Sequence, residues 1–190
     1  MVNQLGFVSS FFIRFTPFPV IMSQQETPKA FPAYYNYYIS LAPGNLVTNM
    51  RKAHDTTQII LSRISEEQAS KAYAPGKWTI KEIIQHLIDS ERIFAYRALR
   101  FARADKTPLS GFEQDDYVIQ SQANKRSMQS LMREYACVRD ASIALFEHFN
   151  EDMLSERGIA NKTEATVESI GRVIVGHEIH HMDVIKSKYL

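Results

Sequence analysis

Four stretches of this chain space their apolar residues by three and four, and that period is what most constrains the fold. Leu46, Met50, Ala53, Thr57, Ile60 and Ile64 form one such stripe within residues 45–64. Residues three or four apart share one face of an α-helix. A second stripe runs over residues 80–103 and a third over 127–150, the latter through Met128, Leu131, Tyr135, Val138, Ser142, Leu145 and Phe149. A fourth covers residues 167–189. No run alternates apolar and polar residues at the strand period of two, and the chain holds no internal repeat. Gly and Pro number only 7 each in 190 residues, which disfavours turn-rich sandwiches and suits long helices. Four amphipathic helices on short or moderate connections predict an all-α four-helix bundle.

The helix ends carry local signals. Pro75-Gly76 makes a turn, and Thr79-Ile80-Lys81-Glu82 reads as a capping box, with Trp78 and Ile83 placed as its hydrophobic staple. Arg97, Arg100 and Arg103 load the last turns of that helix with cations, as the helix dipole favours. Thr166 is the expected N-cap of the fourth helix. The connection over residues 104–126 holds Pro108, Gly111 and an acidic run, with a short helical turn expected from Asp115.

Residues 1–21 read differently. They contain no acid and one base, Arg14, which interrupts the apolar part ahead of Pro17 and Pro19. That is neither a secretory signal nor the roughly 20 apolar residues of a spanning helix. The expected division is a disordered extension over 1–21, an extended Tyr/Pro-rich segment over 22–44 lying on the body's surface, and the bundle over 45–190. With 22 Lys+Arg against 21 Asp+Glu, the balance argues against nucleic acid as a partner. No membrane partner is expected either, and the expected location is the cytoplasm. One cysteine, Cys137, excludes an internal disulfide or a multi-cysteine metal site; it reads as an inert small residue.

Gly176-His177-Glu178-Ile179-His180-His181 lies in the fourth helix. At about 100° per residue, His177 and His181 fall on the apolar stripe with Ile170, Val173, Ile174 and Val184. Two histidines at i and i+4 point the same way and can share a metal. The alternative is a pair of core histidines, which would need several polar partners on an apolar face. The string also satisfies the His-Glu-x-x-His protease pattern, but the chain ends at Leu190, and Glu178 falls beside the stripe as a flanking, partly solvated carboxylate. A third ligand must come from elsewhere. His86 sits at the edge of the second stripe, with Ser90 and Arg97 on its flank, and spacing favours it over His54 and His148. Glu91 lies near the centre of that stripe. It reads either as half of a buried ion pair, with Arg172 or Arg139, or as a carboxylate orienting a ligand imidazole. Asp115 and Asp116 read as turn caps.

Several ordered motifs together resemble the DinB-like (DinB/YfiT) superfamily. They are Ala74-Pro75-Gly76-Lys77-Trp78-Thr79-Ile80-Lys81-Glu82, His86-Leu87-Ile88-Asp89-Ser90-Glu91-Arg92, Phe94-Ala95-Tyr96-Arg97, Gly111-Phe112-Glu113 and Gly176-His177-Glu178-Ile179-His180-His181. The resemblance implies a four-helix bundle with a metal triad, one His on the second helix and His-x-x-x-His on the fourth, which map onto His86, His177 and His181. It also implies an activity of the kind known in the family, transfer of a low-molecular-weight thiol to a small electrophilic substrate or a thiol-dependent isomerisation. A three-imidazole site suits zinc or nickel and does not choose between them. The leading expectation is therefore a divalent-metal enzyme of the thiol-S-transferase-like type. A metal-dependent hydrolase and a non-catalytic, metal-stabilised bundle are the alternatives, and a homodimer is expected from symmetry statistics.

Overall fold

A computed structural model describes residues 33–190. The expected extension over 1–21 and the first part of the Tyr/Pro-rich segment lie outside the described residues. Eight α-helices and one β-hairpin follow in chain order among the described residues: α1 (Ala33–Ser40), α2 (Leu46–Leu61), α3 (Glu66–Ala69), α4 (Ile80–Ala102), α5 (Gln114–Ser121), α6 (Met128–Glu147), α7 (Glu151–Ser155), β1 (Arg157–Ala160), β2 (Thr163–Thr166) and α8 (Val167–Lys188). The long helices α2, α4, α6 and α8 are the four periodic stripes. Each packs on two of the others, so that going round the bundle the order is α2, α6, α4, α8.

The helix starts are built by capping side chains. Asn45 accepts from the Thr48 amide, and Ser127 from the Ser130 amide. Thr79 and Glu82 close a full capping box on α4, which satisfies two amides the first turn would leave unpaired. Thr166 and Ser169 do the same for α8. The core falls into two clusters. One gathers Met50, Phe94, Phe101, Phe146, Ile170 and Val173; the other gathers Ile80, Ile84, Leu87, Leu131, Tyr135 and Ile185.

Two departures from the sequence reading shape the site. The Tyr/Pro-rich segment is not extended throughout: Ala33–Ser40, between Pro32 and Pro43, forms α1, which packs along α8. The approach is close enough that a Cβ on Gly176 would come within 1.9 Å of the Tyr38 carbonyl oxygen. The second departure is the hairpin, for which no strand pattern was legible. Arg157–Ala160 pairs antiparallel with Thr163–Thr166 around Asn161 and Lys162, whose φ values are 50° and 61°. Two successive left-handed residues make the turn that best matches strand twist. Leu109 bridges to this hairpin, donating its amide to the Ile159 carbonyl and accepting from the Asn161 amide, each at 2.9 Å. The connection after α4 is thereby held against the bundle. No helix among the described residues is long and apolar enough to cross a membrane.

Candidate metal centre

His86 stands two turns into α4, and His177 and His181 on successive turns of α8. Their Nε2 atoms converge: His177 lies 3.0 Å from His86 and 3.0 Å from His181, and all three are within 4.8 Å of one another. His86 and His177 are buried and His181 half-buried. Burial pushes the His86 imidazolium down to about 4 and His181 down to about 3. His177 is driven well below its ordinary value by burial and by its imidazole neighbours. All three are therefore neutral near pH 7, the form that ligates a metal.

Hydrogen bonding cannot satisfy this cluster. The Nε2 of His177 carries either one N–H or one in-plane lone pair, so it can serve one of its two neighbours. A cation among the three nitrogens would engage all of them. Tetrahedral zinc with bonds of about 2.0–2.1 Å sets its nitrogens about 3.3 Å apart, close to the observed spacing. The donor set thus fits a divalent ion with a further position open.

Aromatic rings confine the cluster. Trp78 lies 4.8 Å from the His86 ring, and Tyr38 meets His177 edge-on at 5.3 Å. Two cavities reach it from different sides. The larger, about 440 Å³, is bordered by His86 and His177 together with Ser90, Phe94, Arg97 and Asn161. The smaller, about 380 Å³, is bordered by His181 with Trp78, Asp115 and Tyr189.

Other sequence candidates fall elsewhere. Glu91 engages Arg139 rather than an imidazole, taking hydrogen bonds from Nε and Nη2, each at 2.8 Å. Arg172 instead serves Glu168 and the Ala42 and Gly44 carbonyls at the α1–α2 corner. Glu178 is not the partly solvated flank expected of it. It is 1% exposed, its Oε2 lies 2.6 Å from Arg139 Nη1, and Tyr135 donates to its Oε1. Burial opposes the Arg139 charge, but Glu178 and Glu91 outweigh it and hold the guanidinium protonated far above its ordinary range. His180 faces Tyr37 and Tyr38, His54 stacks on Tyr135, His148 and Cys137 are exposed, and none joins the cluster. The Glu91–Arg139–Glu178 cluster, which ties α4, α6 and α8 together next to His177, was legible only as one of two alternatives for Glu91.

Comparison with known proteins places this arrangement. A curated Oceanobacillus iheyensis protein named "putative metal-dependent hydrolase" is 25% identical over 128 residues, 66% of this chain and 73% of its own length. YfiT from Bacillus subtilis, described as a "probable metal-dependent hydrolase with an unusual four-helix bundle topology", superposes with a TM-score of 0.61 at 15% identity, over 90% of each chain. The mycothiol-dependent maleylpyruvate isomerase superposes with a TM-score of 0.61 at 11% identity, over 81% of this chain and 62% of that one. These structural likenesses establish the shared bundle. The sequence pattern of the DinB superfamily matches residues 49–185, and the chain belongs to that superfamily.

Proposed function

We propose that His86, His177 and His181 hold one divalent metal, zinc or nickel, and that the protein is a metal-dependent enzyme of the thiol-transferase type. The carrying observation is the convergence of three neutral Nε2 atoms, two buried and one half-buried, with His86 and His177 bordering one cavity and His181 another. A divalent ion there would lower the pKa of a thiol or water in its open position. The chain's own residues do the rest. Burial keeps the imidazoles unprotonated, and Tyr38 and Trp78 hold their rings in place. The Arg139 network fixes the turn of α8 that carries His177. Phe94 and Tyr38 line the larger cavity beside His86 and His177. Two separate approaches suit a reaction that brings together a low-molecular-weight thiol and a small electrophile. The mycothiol-dependent isomerase among the structural neighbours supports a thiol partner.

The name of the Oceanobacillus relative favours a second reading, hydrolysis by activated water. Calorimetry of zinc- and nickel-loaded protein with a panel of thiols separates the two. Stoichiometric thiol binding that disappears on chelation supports transfer. No thiol binding at millimolar concentration, together with metal-dependent ester or amide cleavage, supports hydrolysis.

A further inference from the structure

We infer that Ser90 is a positioning residue, its hydroxyl donating a hydrogen bond to the anionic sulfur or oxygen of a ligand seated in the larger cavity against the histidines. The inference rests on the metal reading of that site, and it holds for thiol and water alike.

His86 and Ser90 stand four residues apart on α4. They therefore share a face, with Cβ atoms about 5–6 Å apart. Both border the larger cavity, as His177 does from α8. The Cα–Cβ bonds of a helix lean toward its N-terminus, which tilts the Ser90 side chain toward the turn of His86. The hydroxyl thus belongs to the histidine end of the cavity rather than its mouth.

Burial singles this residue out. Among the described residues that border the cavity, Ser90 and Arg97 are the buried polar side chains besides the two histidines. Arg97 lies about two turns further along α4 and donates to the Ser110 carbonyl. Glu113, Gln114 and Asn161 are exposed at the rim. Ser90, 2% exposed, is the one next to the imidazoles.

Its hydroxyl is also free to pair. Ser40, Ser121, Ser155 and Ser187 each donate to the carbonyl three residues earlier, a usual outlet for a helical serine. The Ser90 hydroxyl makes no hydrogen bond among the described residues. Nor is it sealed in protein, as the unpaired His54 Nδ1 is; it opens on the cavity. An unpaired buried hydroxyl costs about 1–3 kcal/mol, which a ligand in the cavity would relieve. Neutral imidazoles that aim their lone pairs at a metal offer no donor to a ligand beside it. A thiolate or hydroxide there keeps lone pairs of its own, and a hydroxyl one turn from His86 supplies the donor. Such a bond to an anion is stronger than one between neutral groups.

The test uses the full chain loaded with cobalt(II), which accepts imidazole ligands and whose visible spectrum reports each added ligand. 2-Mercaptoethanol and azide bind through atoms that keep lone pairs, whereas imidazole binds through a nitrogen that spends its only in-plane pair. Ser90→Ala is expected to weaken mercaptoethanol and azide about tenfold, the size of one hydrogen bond to a charged group, and to leave imidazole unchanged. Ser90→Thr, which keeps a hydroxyl, should recover most of that affinity. Unchanged anion affinity in Ser90→Ala overturns the inference. So does an equal loss for imidazole, which would mark a structural role, or a Ser90→Thr protein of native cobalt content and circular dichroism that behaves like Ser90→Ala. A wild type that takes up no cobalt overturns this inference together with the metal reading. A wild type that binds azide in a Ser90-dependent way but no thiol overturns thiol transfer and leaves the role of Ser90 standing.

Discussion

Replacing His86, His177 or His181 by alanine is expected to remove most bound metal in each case, since two imidazoles hold a divalent ion far less well than three. His180→Ala should spare it, because His180 turns toward Tyr37 and Tyr38. Elemental analysis of chelator-washed variants decides the matter: an empty site in His180→Ala beside a full one in His177→Ala would sink the assignment. Arg139→Met tests the neighbouring network. It strands the Glu91 and Glu178 carboxylates, which are 4% and 1% exposed, and removing one member of a buried ion pair costs about 3–5 kcal/mol. A urea midpoint close to wild type would show that the carboxylates relax or take up protons without strain.

At the scale of elements, Gly176→Ala should force α1 away from α8, because the added Cβ meets the Tyr38 backbone and not a flexible side-chain tip. A loss of about 1–3 kcal/mol is expected from such overpacking, with a lower Tm; an unchanged Tm would mean α1 is not docked as described. The four long helices were legible because each sustains its period over at least 16 residues and because capping side chains mark their starts. The i, i+4 histidine pair on α8 was legible for the same reason, needing only helix register, whereas His86 was favoured by spacing and singled out by the family resemblance. The hairpin was not. Its strands are four residues each, too short for alternation to rise above chance, and its turn uses Asn161-Lys162 where a glycine would have announced it. Glu178 was misplaced because register describes one helix face, while α8 packs against α1, α2 and α4 together, so more than one stripe is buried.

For the molecule as a whole, the depressed imidazoles give stability a definite pH dependence. The folded-state pKa values of His86 and His181 fall to about 4 and 3 from an ordinary 6.5. Below pH 6.5 the unfolded chain takes up protons that the folded chain refuses, so stability is fully present above 6.5 and is lost as pH falls toward 4. Urea midpoints of chelator-treated protein at pH 7.5 and pH 5 should differ in that direction; equal midpoints would mean the imidazoles are open to water. Metal should raise the Tm of the wild type by mass action and leave that of His177→Ala unmoved. The larger cavity, meanwhile, is walled by two kinds of backbone. His86, Ser90, Phe94, Val173 and His177 come from helix interiors, whereas Phe112, Glu113 and Asn161 come from the connection and the hairpin turn that Leu109 ties together. Connecting segments accept insertions and exchanges that helix interiors do not. Descendants of one ancestral bundle can therefore inherit an unaltered histidine cluster while the walls around it drift.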